Sequence, residues 1–328
     1  MNPLLDSGPA AALAAAGLWA ASSLIYSRVR LTAWTLNFGK NVAGSTLLLL
    51  AWMAGLGGAG TGSSITGVTL GLLVLSSLSG IVLGDTLYFR SLQILGPRRA
   101  LMLSTTSPLF GLLIGTVFLQ QFLSLVNLLG IALTLAGVLI VIRERAAITD
   151  AAAFHTGDSG TAVLLGFAAA ASTAVGGMFS HVATRDAGSG EGCTAFEATV
   201  IRVVTAAVAS GLILLLQRRL RQTSRNVFSP VTLRSYLPAV VMGPVLGIWM
   251  SQIALQKSLL AIAITLTSTT PLFAIPLSRV AFGTPISARA VCGALLAVLG
   301  VFLTVHEESS APAVAVKQTI SEGVESRQ

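Results

Sequence analysis

Long runs of apolar residues, interrupted only by short polar stretches, dominate the chain. Runs of about 20 apolar residues match the thickness of a bilayer core when helical. On that basis the pattern predicts ten spans, at 9–27, 34–56, 66–91, 99–119, 122–142, 161–182, 194–216, 237–256, 261–282 and 286–305. The connections are short except for two. One is the stretch around 143–160, with Arg143, Glu144, Arg145, Asp150 and Asp158; the other is the Arg-rich loop 217–236. The tail from 307 to 328 has no apolar period and is expected to be disordered. The first run is short and Ala-rich like a signal peptide, but only Asp6 precedes it and its cations, Arg28 and Arg30, follow it, so a retained first helix is expected.

Composition agrees with this pattern. Of 328 residues, 54% are hydrophobic and 10% charged, whereas soluble domains carry about 25% charge. An all-α integral membrane protein follows, and no room remains for a sizeable soluble domain. The net charge of +8 would suit a nucleic-acid binder, but a membrane chain keeps Arg in its loops for orientation, so no nucleic-acid partner is expected. Two cysteines and three scattered histidines form no disulfide framework, metal site or HExxH zinc motif. No phosphate-binding G-x-x-x-x-G-K-[ST] loop and no nucleophile–base pair is legible, so neither a cofactor nor catalysis is expected.

The chain repeats itself. Residues 80–144 lie over 243–307 at a constant offset of 163 without a gap. Identities fall at Gly80/Gly243, Gly84/Gly247, Pro108-Leu109-Phe110/Pro271-Leu272-Phe273, Gly130/Gly293 and Gly137/Gly300, which shared hydrophobicity alone would not align. Upstream, with a small change of offset, Lys40 lies over Arg202 and Ile25-Tyr26-Ser27 over Met178-Phe179-Ser180. Two five-helix units are therefore expected, 1–145 and 161–306, joined by a linker at 146–160. Because five is odd, the second unit starts from the opposite face, as in the inverted repeats of secondary transporters.

The stretch GDTLYFRSLQILGPRRALMLSTTSPLFGLLIGTVF, followed by LLGIALTLAGVLIVIR, resembles the third to fifth helices of an EamA-type unit of the drug/metabolite transporter superfamily, and the second half resembles it more loosely. The resemblance covers about residues 9–305 and implies ten helices, a central cavity and export or exchange of small metabolites. One departure is clear. Where the family usually has Gly-Glu between the fourth and fifth helices, this chain has Gln120-Gln121, and Gly283-Thr284 in its second half. A role for that acid does not carry over.

Candidate site residues come from polarity inside the spans. Ser104, Thr105, Thr106, Ser107 and Pro108 match Thr267, Ser268, Thr269, Thr270 and Pro271, a hydroxyl-rich turn before a proline in each half. A mid-helix proline frees a backbone carbonyl, and hydrocarbon tolerates that only beside protein or a polar cavity. These turns are expected to line a substrate cavity, although hydroxyls bonding back to their own helix are common. Intramembrane charges mark functional sites: Lys40 and Arg202 are candidate substrate or ion-pair residues, and Asp85 is the candidate coupling carboxylate. Tyr88 and Trp249 are candidate stacking residues, against the alternative of interfacial anchors. The Gly80/Gly84 and Gly243/Gly247 pairs are expected to pack helices closely; those at 130/137 and 293/300 serve packing or an oligomer contact, such as a homodimer.

The leading functional expectation is a multi-pass secondary transporter of small metabolites in the cell membrane, the inner membrane in a bacterium. The alternative is a non-transporting receptor-like or assembly subunit with the same fold. Orientation follows from charge. Fourteen Arg lie after odd-numbered spans, against four cations on the other face. The positive-inside rule then places both termini outside, although transporters resembling this chain commonly have them inside.

Overall fold

A computed structural model describes residues 7–26, 28–29, 31, 33–55, 65–149, 159–185, 193–282 and 287–310. The expected linker core, Gly283-Thr284 and the tail beyond residue 310 lie outside these residues. The described elements are helical: α1 (Gly8–Tyr26), α2 (Ala33–Met53), α3 (Gly67–Ser76), a first π segment (Ser77–Gly84), α4 (Asp85–Ser104), α5 (Ser107–Leu119), α6 (Leu125–Thr149) and α7 (Ser159–Arg185) form the first stretch. Then follow α8 (Ala195–Leu216), α9 (Leu220–Val227), α10 (Pro230–Val240), a second π segment (Val241–Gly247), α11 (Ile248–Lys257), α12 (Leu260–Thr267), α13 (Thr270–Phe282) and α14 (Ala288–Ser310).

Among the described residues, seven helical stretches are long and apolar enough to cross a membrane. The other expected spans differ for identifiable reasons. Helix α2 has the length but carries Asn37, Lys40 and Asn41. The fourth and ninth expected spans are shorter apolar helices, Ser107–Leu119 and Leu260–Ala274. Large apolar side chains such as Met53, Leu125, Leu216 and Val280 are exposed on the outside of the bundle, where hydrocarbon is the natural solvent.

Three expectations change. The Arg-rich loop is partly helical: α9 lies within it and α10 starts at Pro230, earlier than the expected 237. Ser229 caps α10 by accepting from the Thr232 amide at 3.3 Å, and a proline just inside a helix start has no amide to leave unpaired. The helix ending at Ser310 also takes in the first residues of the expected tail. Finally, α4 runs through the expected third loop, yet the chain must fold back within it. Ser91 Oγ donates to the Ala162 carbonyl at 2.9 Å, and a Cβ on Gly166 would meet both Ser91 and Leu103. Twelve residues of straight helix would separate those two by about 18 Å.

Small residues hold the bundle together. With lipid as solvent, helices associate through close packing rather than hydrophobic exclusion. Helix α7 crosses the first π segment where a Cβ on Gly176 would lie 2.8 Å from Gly80 Cα, and Ser76 Oγ donates to the Gly176 carbonyl. The second half mirrors this contact. Ser22 Oγ of α1 donates to the Ala239 carbonyl at 3.0 Å, and Ala239 is the 163-offset counterpart of Ser76. Helices α6 and α14 pair along their glycines: a Cβ on Gly130 would sit 2.8 Å from the Gly300 carbonyl oxygen, and one on Gly293 2.9 Å from that of Gly137. All four glycines therefore stand at close contacts within the chain.

Both π segments end on the same position of the repeat, since Gly84 falls on Gly247 at the offset of 163. A π turn holds one residue more than an α turn and recurs at functional sites.

Candidate functional site

The charged candidates converge next to the first π segment. Lys40 extends from α2, and its Nζ lies 3.0 Å from Asp85 Oδ2. Asp85 is the first residue after the π segment, so the extra residue in that turn sets the direction in which its carboxylate points. Arg202, from α8, is buried. Its carbonyl accepts from Ser77 Oγ at 2.6 Å, and a Cβ on Gly80 would come 3.4 Å from its Nη2. A side chain at 80 would thus touch the guanidinium. Sequence placed these residues in separate helices; the fold sets Lys40 against Asp85 and Arg202 against the π segment that leads into Asp85.

Trp249 packs edge-on against Phe196, with ring centroids 5.2 Å apart. Glu197 opens α8 in a capping box: its amide donates to Thr194 Oγ1 at 3.2 Å and its carboxylate accepts the Thr194 amide at 2.9 Å. It serves the helix end.

The hydroxyl-rich turns take a different form from the one expected. Pro108 and Pro271 are not mid-helix: each stands in the first turn of its helix, α5 or α13, after a break at 105–106 or 268–269. A proline in a first turn removes no intrahelical bond, so the expected freed carbonyls do not arise in that way. The hydroxyls bind the chain around the break. Thr106 Oγ1 donates to the Leu103 carbonyl at 2.6 Å, Thr267 Oγ1 to Ala263 at 2.9 Å, Ser268 Oγ to Ile264 at 2.8 Å, Thr269 Oγ1 to Leu266 at 2.6 Å and Thr270 Oγ1 to Thr267 at 2.9 Å. Thr105, Ser107 and Thr269 are buried, and Ser104 is partly buried. Helices α5 and α12 pack directly, for a Cβ on Gly111 would meet Ile264 Cδ1 at 2.9 Å. The fourth and ninth spans are therefore in direct contact at the level of Gly111. An open groove of about 670 Å³ lies elsewhere, lined by side chains of α1 and α13 such as Leu24, Phe273 and Leu277, with Arg28 among them.

A second polar cluster was not anticipated. Gln121 accepts the Leu260 amide at 3.0 Å, the amide that opens α12, and its Nε2 lies 2.7 Å from His181 Nε2. The other ring nitrogen of His181 meets the Leu255 carbonyl near the end of α11. Two side chains thus fasten both ends of the break between α11 and α12. Nearby, Ser180 Oγ donates to Gln252 Oε1 and Gln256 Nε2 to the Thr184 carbonyl, the latter at 3.0 Å. The available signal was the rarity of polar side chains inside spans; His181 was weighed only as a metal ligand, and Gln121 only as a departure from a family pattern.

Comparison with known proteins agrees with this architecture. A solved structure described as "Crystal structure of protein" matches with a TM-score of 0.69 at 18% identity, covering 93% of this chain and 99% of that one. At that identity the likeness concerns the fold. No curated protein matches significantly. The model of the EamA-like transporter family matches twice, over residues 6–143 and 160–306, so nearly the whole chain is covered by two copies of one unit. With the repeat seen independently in the glycines, prolines and π segments, the chain belongs to the EamA-like transporter family, as a multi-pass membrane protein of the drug/metabolite transporter type.

Proposed function

We propose that the protein is a secondary transporter of small metabolites, working by alternating access across ten spans arranged as two inverted five-helix units, in the cell membrane. One observation carries the reading: the Lys40–Asp85 pair of the first repeat and the buried Arg202 of the second stand at the two ends of one π segment inside an apolar bundle. Charges at such depth are costly and are retained for ion or substrate pathways. In this reading Asp85 is the coupling group. As an anion it holds Lys40; on protonation or on arrival of substrate it releases that cation, and the two halves change their relative position. The π segments beside the cluster supply the irregular turns about which α3 and α10 can bend.

The test is entry of solutes from a bacterial metabolite extract into proteoliposomes bearing a proton gradient, compared with protein-free vesicles. Gradient-dependent entry that is lost in Asp85→Asn, with insertion intact, is expected. Entry that is normal in Asp85→Asn over a range of pH would remove Asp85 from the coupling step. If no solute enters faster than into protein-free vesicles, the non-transporting subunit becomes the better reading.

A further inference from the structure

The two halves of the charged cluster are not equivalent. At the offset of 163, the position of Asp85 is taken in the second half by Ile248. Lys40 therefore has a carboxylate on the neighbouring helix of its own repeat, and Arg202, its counterpart, has an isoleucine. Ile248 packs with Val200 and Val203, which flank Arg202 on α8. Among the described residues Arg202 has no direct ion-pair partner, and its Nε is buried without a hydrogen-bond partner. The residue is only 8% exposed. Glu197 is the one carboxylate on α8, but it is engaged in the Thr194 capping box and stands five residues away, on a different face. Counting Lys40, Arg202 and Asp85, the cluster carries a net charge of +1.

A buried guanidinium is strongly destabilised unless an anion meets it. It also presents a planar fork of donors matched to carboxylate and phosphate oxygens. Gly80 keeps the space in front of Nη2 free of a side chain. We propose that Arg202 is the binding point for an anionic substrate, a small organic acid or phosphate ester whose charged group supplies the counter-charge that the second repeat lacks. This deepens the transporter reading and rests on it. Lys40 and Asp85 then form the switchable pair beside the bound anion, and the site is neutral only when occupied.

The test sorts the transported compounds by charge. Purified full-length protein in phosphatidylcholine vesicles is exposed to a bacterial metabolite extract, and the compounds entering faster than into protein-free vesicles are identified by mass spectrometry. Anions are expected, with entry reduced roughly tenfold or more in Arg202→Gln, the scale of one charge-assisted hydrogen bond. Ile248→Asp, which supplies the missing carboxylate from within the protein, should block the same anions while keeping the protein folded. Entry of only neutral or cationic compounds overturns the proposal and leaves the transporter reading intact. Anion entry unchanged in a folded Arg202→Gln also overturns it, and should that variant fail to fold, unchanged anion entry in Ile248→Asp does so. Entry of nothing at all removes both readings. Thermal stabilisation by phosphatidylglycerol that depends on Arg202, without anion entry, would assign the site to a lipid headgroup and likewise overturn it.

Discussion

Removing either partner of the Lys40–Asp85 pair should have unequal consequences, because a second cation stands by. The two side chains are 18% and 32% exposed and 3.0 Å apart. At an effective dielectric near 20 the attraction over that distance is about 5 kcal/mol, most of it offset by desolvation. Breaking a buried pair from one side costs about 3–5 kcal/mol when the remaining charge is stranded. In Asp85→Asn two cations, Lys40 and Arg202, are left together with no carboxylate, and partial exposure discounts the cost to about 3 kcal/mol. In Lys40→Gln the remaining Asp85 keeps partial solvent exposure and lies at the end of the segment that Arg202 abuts, so about 1 kcal/mol is expected, near the value of an exposed pair. Equilibrium unfolding in detergent mixtures of rising sodium dodecyl sulfate content, followed by tryptophan fluorescence and circular dichroism, measures both. The expected gap is about 2 kcal/mol in favour of Lys40→Gln. An equal loss in the two variants, or a larger one in Lys40→Gln, would refute the unequal stranding of the two charges.

Four further outcomes follow from the packing. Gly137→Ala should destabilise the α6–α14 contact by about 2 kcal/mol or more, since its Cβ would meet the Gly293 carbonyl and Ala297, whereas Gly71→Ala has open space and should be neutral or stabilising by up to about 1 kcal/mol; the same unfolding assay reads both. Gln121→Leu should cost about 1–3 kcal/mol by leaving the Leu260 amide unpaired, and Gln121→Glu, which keeps that acceptor but loses the donor facing His181 Nε2, should recover only part of the loss. Thr269→Phe should lower the yield of folded protein because that side chain is fully buried, in contrast to Leu129→Phe at an exposed position, as size-exclusion profiles in detergent would show. If the Arg distribution sets orientation, a C-terminal alkaline phosphatase fusion will be active and a C-terminal green fluorescent fusion dark; the reverse pattern would place the termini inside.

The sequence was most informative where residue type is tightly constrained. Gly130, Gly137 and their partners stand at backbone approaches where a Cβ would collide, and such positions can be read without knowing which helix comes near. Lys40, Asp85 and Arg202 were legible as singular charges in apolar runs, but hydropathy carries no information on which helices meet, so their convergence was not. The proline turns misled because a Pro inside an apolar run looks the same whether it kinks one helix or opens the next; Thr106 and Thr269, bonded across a break, decide for the second. The Gln121–His181 fastening stayed hidden for a related reason. Its members are 60 residues apart, and each alone is an ordinary polar side chain.

The paired π segments have a consequence for how the chain tolerates deletions. A π turn accommodates one residue beyond the α repeat, so deleting a residue between Ser77 and Gly84 would let α3 continue as regular helix into α4 with the downstream phase kept, whereas closing the turn to α geometry with every residue retained would rotate everything downstream by about 100°. Asp85 would then leave the face opposite Lys40, although no side chain of the cluster had been altered. The same phase shift at Val241–Gly247 would turn Ile248 and Trp249 away from Val203 and Phe196. In each half the helical phase, carried by a single surplus residue, decides which side chains face the other repeat. Because both halves hold that surplus at the same register, the simplest history places its insertion in an ancestral single unit, before duplication.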